Sequence, residues 1–284
     1  MLLEHLSLYV LAVIQGVSEV LPISSTGHLV LVKELFSSQQ VNLALAVGLH
    51  IGSAIAIFAW FHSEWREVWH NWVNSLEEIK ENVARRNFNL KFQVAERYIP
   101  YGLALSLLPV AMEGFFLQGQ VERVFSETYM VPVFLLLNAG IIIITATRRR
   151  GQRRLQDIRW FEYLIIGAIQ GIAVLPGISR LGLVLCTGLW LGLNWKEAVR
   201  LAFLLAVPVI MGAVLLKSPE LISALESWVS LPSFFVALLL TFIFSFVGLK
   251  FFTSKVLERK ALAFFAFYCL TIGFFSLAFL KFWT

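Results

Sequence analysis

Two short stretches of this sequence gather side chains that can do chemistry. In the first, Gln15, Ser18 and Glu19 fall at i, i+3 and i+4, so one helical face carries an amide, a hydroxyl and a carboxylate. Pro22 interrupts that helix, and Ser24-Ser25-Thr26-Gly27-His28 reads as a turn that opens a second one. Hydroxyls at a helix start cap free backbone amides, and the same start, with its unpaired N–H groups, suits a phosphate. Ser25 and His28 are three apart, which lets an imidazole reach the hydroxyl as its base, or lets both hold one ligand. The same residues also read as simple helix caps beside a satisfied interior histidine.

The second stretch repeats the frame with different groups. Gln170 matches Gln15, but Ala173 and Val174 stand where the first stretch has Ser18 and Glu19, so no second carboxylate arrives. Pro176-Gly177-Ile178-Ser179-Arg180 instead brings a guanidinium, the group suited to bidentate phosphate recognition or to a salt bridge with Glu19. Joined, the two stretches offer one carboxylate, one histidine, several hydroxyls, one arginine and two helix starts: an anion site with attack chemistry. The Gly-x-Ser-x-Gly elbow, the Walker phosphate loop and the His-Glu-x-x-His zinc motif are absent from the sequence. Cys186 and Cys269 lie inside apolar runs, which leaves no disulfide framework and no thiolate metal site.

The elements that must position these groups are membrane helices. At 284 residues, 58% hydrophobic and 14% charged, with mean hydropathy +0.78, the composition fits an integral membrane protein and no ordinary soluble domain. Six stretches are long and apolar enough to cross, roughly 41–62, 98–118, 128–147, 198–217, 231–252 and 262–282. Regions 5–38 and 160–194 are apolar but broken midway by Pro22 and by Pro176-Gly177. A leg of about 14 residues covers about 21 Å, short of a hydrocarbon core of about 30 Å. Each is therefore read as a re-entrant hairpin, and bent backbone at that depth is tolerated only against protein or a wet cavity.

The hairpins also expose a repeat. Ile14-Gln15-Gly16 matches Ile169-Gln170-Gly171, Val20-Leu21-Pro22 matches Val174-Leu175-Pro176, and Ser25 is set against Ser179. One hairpin plus three spans is an odd number of crossings, so the second copy is inverted. The expected fold is thus all-α: six transmembrane helices and two re-entrant hairpins in one membrane domain, with repeats at about 5–147 and 160–282. Most of the 23 Lys and Arg fall in loops that this topology puts on one face, which the positive-inside rule makes cytoplasmic. Both termini then lie outside the plasma membrane, and the hairpin tips meet near the midplane. The net charge of +5 is scattered between apolar runs rather than massed on one surface, which excludes a nucleic-acid partner. Glu4 and His5 replace the basic start of a signal peptide, so the first run is not read as a cleaved leader. Trp65, Trp69, Trp72 and Leu76 form a helical stripe, read as an interfacial anchor. Glu113 is expected to snorkel to the interface.

The string Gln15-Gly16-Val17-Ser18-Glu19-Val20-Leu21-Pro22-Ile23-Ser24-Ser25-Thr26-Gly27-His28, with Pro176-Gly177-Ile178-Ser179-Arg180, resembles the bacitracin-resistance type undecaprenyl-diphosphate phosphatases over nearly the whole chain. The resemblance implies hydrolysis of an isoprenoid diphosphate lipid to its monophosphate and inorganic phosphate, recycling the lipid carrier of cell-wall synthesis. It also implies a divalent cation, Mg2+ or Ca2+. Carried over by position, Glu19 is the essential glutamate and cation contact, Ser25 and His28 are the catalytic hydroxyl and imidazole, and Arg180 binds phosphate. Ser24, Thr26, Ser179, Gln15 and Gly177 complete the substrate contacts. The family pattern Ser-Arg-Ser-Gly-x-Thr departs here at Leu181 and Val184, and Thr187, one turn on, is the candidate replacement. Each lost hydroxyl removes a hydrogen bond of about 1.5–3 kcal/mol, or one to two decades in rate. The rival function is a lipid-phosphate or anion carrier, since inverted repeats with broken helices also build transporters.

Overall fold

The computed structural model describes residues 2–35, 43–85, 94–126, 128–148, 151–227, 230–255 and 259–283, and among them it is all-helical. In chain order the helices are α1 (Leu2–Glu19), α2 (Ser25–Leu35), α3 (Leu43–Trp60), α4 (His62–Ala84), α5 (Ile99–Phe116), α6 (Gln118–Ser126) and α7 (Met130–Ala146). Then follow α8 (Trp160–Ile172), α9 (Arg180–Trp190), α10 (Trp195–Leu216), α11 (Ser218–Ser227), α12 (Leu231–Lys255) and α13 (Arg259–Trp283). Five of these regions are long and apolar enough to cross a bilayer: α3, α5 with the 3₁₀ turn before it, α10, α12 and α13. At 17 residues, α7 is about 26 Å long.

The two broken regions fold as helix pairs. Helix α1 stops at Glu19 ahead of Pro22, and α8 stops at Ile172 ahead of Pro176. The 13 residues of α8 and the 11 of α9 cover only about 20 and 17 Å. Arg153 shows that the outer ends of this pair meet. Its guanidinium holds the Glu162 carboxylate in the first turn of α8 through two bonds, at 2.9 and 2.7 Å, and donates to the Leu191 carbonyl that ends α9, at 2.6 Å.

Packing crosses between the halves of the chain. Helix α12 lies along α1 and α3, α5 lies along α8, and α7 runs against α13. The approach of α12 to α1 is close because Gly16 presents no side chain: a Cβ there would lie 2.6 Å from the Thr241 carbonyl oxygen. Thr241 and Ser245 on α12 then donate to the carbonyls of Ala12 and Gly16, at 3.1 and 3.0 Å, and Ser245 also donates to Ser53 on α3 at 2.9 Å. Small residues and hydroxyls are the usual means by which membrane helices associate. Helix α4 carries the tryptophan stripe. Trp69 and Trp72 are 59% and 38% exposed, so its apolar face is left open as an interfacial anchor requires.

Candidate active site

The site forms where the two bends touch. Ser24 adopts φ +67°, a left-handed conformation uncommon for serine. That twist turns its hydroxyl inward, where the oxygen accepts the amide of Gly27 at 3.3 Å and, from the other bend, the amide of Gly177 at 3.0 Å. Gly27 permits the contact, since a Cβ there would sit 2.9 Å from the Gly177 Cα. Ser179 caps α9 in the matching way, accepting from the Gly182 amide at 3.0 Å. The equivalent serines are therefore Ser24 and Ser179, not Ser25 and Ser179, because Gly177 is an added residue in the second bend. Ser25 is consequently the counterpart of Arg180, each opening its helix.

Asn138 of α7 braces both bends. Its side-chain amide donates to the Pro22 carbonyl at 3.1 Å, and its carbonyl oxygen accepts the Ser179 amide at 3.1 Å.

Glu19 is the centre of the cluster and is only 7% exposed. One carboxylate oxygen takes the Arg180 guanidinium at 2.5 Å. The other accepts the Ser25 hydroxyl at 2.5 Å and the Gln15 amide at 3.0 Å, and lies 3.3 Å from His50 Nε2. Of the residues expected to converge, Glu19, Ser25, His28 and Arg180, all but His28 do so. Their expected base does not take part: His28 Nδ1 is engaged with the Ser24 carbonyl at 2.7 Å and Nε2 with the Tyr268 hydroxyl at 2.9 Å. Three-residue spacing put His28 on the right side of α2, but the carbonyl one turn back captures its ring. The imidazole beside the carboxylate belongs to His50, which the motifs did not mark. Its one sequence signal was an ionisable side chain inside an apolar span.

Glu19, Ser24, Ser25, Thr26, His50, Ser179 and Arg180 line one end of a cavity of about 570 Å3. The remainder of its wall is mostly apolar and belongs to α3, α5 and α10. Gln15 and Gly177 stand behind this wall rather than on it, Gln15 bonded to Glu19 and the Gly177 amide to Ser24. Gln170 does line the cavity, is 1% exposed, and has neither amide atom hydrogen-bonded among the described residues. A buried amide in that state is ready for a ligand.

Two further expectations are corrected. Thr187 does not replace the hydroxyls absent at Leu181 and Val184, because its own donates to the Leu183 carbonyl at 2.8 Å, away from the cavity. Glu113 does not snorkel: one carboxylate oxygen is buried without a partner among the described residues and packs against Gly171 of α8. Among the described residues there is no group of three His, Cys, Asp or Glu side chains placed to hold a metal ion. Glu19 is the carboxylate of the cavity and its oxygens are already engaged, so the donor set does not fit a hard cation caged by protein alone.

Fold and site together define a multi-pass helical membrane protein with a cluster of one carboxylate, one arginine, one histidine and several hydroxyls buried at the junction of two bent helix pairs. A family model described as bacitracin resistance protein BacA matches residues 8–275, and the chain belongs to that family. It is 34% identical to an undecaprenyl-diphosphatase of Methanosphaera stadtmanae over 96% of each chain. It is 33% identical to one of Korarchaeum cryptofilum over 93% of this chain and 95% of the relative, and 29% identical to one of Methanococcus maripaludis over 95% and 98%.

Proposed function

We propose that this protein hydrolyses undecaprenyl diphosphate to undecaprenyl phosphate and inorganic phosphate. The observation that carries the reading is the Glu19 carboxylate, which holds the Ser25 hydroxyl on one oxygen and the Arg180 guanidinium on the other at the inner end of an apolar cavity. The relatives bear the name of that activity.

In the resting site Arg180 is paired with Glu19, and an incoming diphosphate competes for the guanidinium, whose planar donors match phosphate oxygens. Gln170, which lines the cavity without a hydrogen-bond partner among the described residues, is a second donor for the same oxygens. Ser25 attacks the terminal phosphorus. Its proton passes to Glu19 as the bond to the bridging oxygen breaks, and undecaprenyl phosphate leaves. Water then cleaves the phosphoserine to release inorganic phosphate and restore the hydroxyl. Most of the rate enhancement comes from fixed positive groups around the charge of the transferring phosphoryl. His50 sustains the base: its Nδ1 faces the Ala46 carbonyl at 2.8 Å, so that nitrogen carries a proton and Nε2 is the one that exchanges with Glu19.

In the membrane we assign six spans, α7 being the sixth, with α1–α2 and α8–α9 as re-entrant pairs in an inverted repeat. The meeting of both ends of α8–α9 at Arg153 supports this, as does the reciprocal packing of α12 on α1 and α5 on α8. The cavity follows the second half of α10, away from the Lys196 and Arg200 end, so it opens to the extracytoplasmic side under the positive-inside rule.

The test is phosphate release from undecaprenyl diphosphate by purified protein in detergent, wild type against Arg180→Ala. Release by the wild type and its loss in the variant is the expected result. A wild type that binds the lipid and releases no phosphate overturns the reading.

A further inference from the structure

The cavity continues well beyond the groups that handle phosphate. From the Glu19 end it follows the second halves of α5 and α10, past Leu107, Val110, Gly114, Pro208 and Gly212 to Leu215. On α5 the wall positions recur at i, i+3 and i+7, and on α10 they recur at i and i+4, so each helix turns one continuous face toward the same space. Gly114 on α5 and Gly212 on α10 both line this cavity, and a Cβ built on either meets nothing within 4 Å among the described residues. They are therefore not close-packing glycines of the Gly16 kind. Their lack of a side chain leaves room. The seam also opens sideways: Leu108, Met112 and Phe115 on α5 are 58%, 61% and 67% exposed, and Leu215 on α10 is 70% exposed, so the apolar wall runs onto the lipid-facing surface.

We infer that this seam is the channel for a single polyisoprenoid chain, and that Gly114 and Gly212 set its bore. The inference rests on the phosphatase reading for the head group. The occupant follows from continuity with that end: a molecule whose diphosphate reaches Arg180 has its tail directed between α5 and α10, along a wall that is apolar as far as Lys217 at the end of α10. At Gly114 and Gly212 that wall carries no side chain, so a larger residue at either position narrows it.

The test uses the full-length protein in detergent with undecaprenyl and farnesyl diphosphates as substrates. Gly114→Leu and Gly212→Leu are compared with Gly140→Leu on α7, where a Cβ also meets nothing within 4 Å but which lies off the cavity. The expected result is a rise of about tenfold or more in KM for undecaprenyl diphosphate with kcat nearly unchanged, the signature of lost uniform binding. The effect on farnesyl diphosphate is smaller, and Gly140→Leu leaves both substrates alone. Equal losses for both substrates, a fall confined to kcat, or unchanged kinetics overturns the inference. A second arm does not depend on the variants: an undecaprenyl phosphate analogue with a photoreactive diazirine in its tail labels residues 107–116 and 208–216 of the wild type. Labelling elsewhere, or displacement of the probe by a two-chain phosphatidate, also overturns it. If the wild type hydrolyses neither diphosphate, the phosphatase reading fails by itself, and the labelling still decides where the tail lies.

Discussion

The Ser24 hydroxyl oxygen accepts the backbone amide of Gly177 at 3.0 Å, joining two bends that are 153 residues apart in the chain. The same oxygen caps α2 through Gly27, so one atom sets both the start of a helix and the distance between the two halves of the site.

Disturbing this joint is expected to disable the site from a distance. Gly27→Ala puts a methyl group 2.9 Å from the Gly177 Cα, which forces the bends apart and carries Arg180 away from Ser25. Displacements of about 1 Å cost about a hundredfold in rate. Phosphate release by Gly27→Ala is therefore expected to fall by about that factor, while Ser24→Ala, which leaves two buried amides unpaired, loses about 1–3 kcal/mol of stability in detergent melts.

Removing the carboxylate separates its roles. Glu19→Gln keeps the shape but cannot take a proton from Ser25, and it leaves Arg180 without its anion. A general base contributes about 10²–10⁴-fold, and activity is expected to fall within that range. The freed guanidinium should meanwhile bind a non-hydrolysable diphosphate analogue at least as tightly as the wild type does. Weaker binding in Glu19→Gln would mean that the carboxylate itself holds the substrate.

Ser25 and His50 are distinguished by pH. Ser25→Ala should release almost no phosphate at any pH, and near-normal release would eliminate the serine route. His50→Gln keeps a hydrogen-bonding side chain beside Glu19 but removes a titrating group. Its expected signature is a rate lower by about tenfold and a flattened pH–rate profile, measured as kcat between about pH 5 and 8, where imidazoles titrate. His28 lies outside this circuit. His28→Ala and Tyr268→Phe remove one shared contact, so their effects on stability should be strongly non-additive in a double-mutant cycle.

Arg153 is expected to govern stability rather than chemistry. Arg153→Ala strips Glu162, 7% exposed, of a two-point partner and frees the end of α9. Because the arginine is partly exposed, the loss should be about 2 kcal/mol rather than the larger cost of a fully buried pair. Arg153→Lys should not restore it, since an ammonium cannot make the planar two-point contact. Thermal unfolding in detergent reads both.

The long apolar helices and the breaks were legible because lipid enforces a simple rule on length and apolarity, and Pro22 and Pro176 punctuate that rule in the primary sequence. The meeting of Glu19 with Arg180 was legible for a related reason, since neither is at home alone in an apolar bend. Ring direction was not. Whether His28 turns toward Ser25 or toward Tyr268 depends on a carbonyl and a phenol that no local pattern announces. His50 and Asn138 were passed over because each stands in a largely apolar helix, without a motif around it. The Ser25–Ser179 correspondence failed for a smaller reason: one inserted glycine shifts the register, and a turn hides such a shift where a helix would display it.

Asn138 ties the Pro22 carbonyl and the Ser179 amide to a single side chain of α7. A turnstile that shows its cargo to each face of the bilayer in turn must shear its halves past one another, and every stroke here would strand both groups where no water can replace what they lost. Asn138 favours a vise over a turnstile at the centre of this molecule: in the proposed phosphatase the lipid slides in and out while the two bends stay tied together.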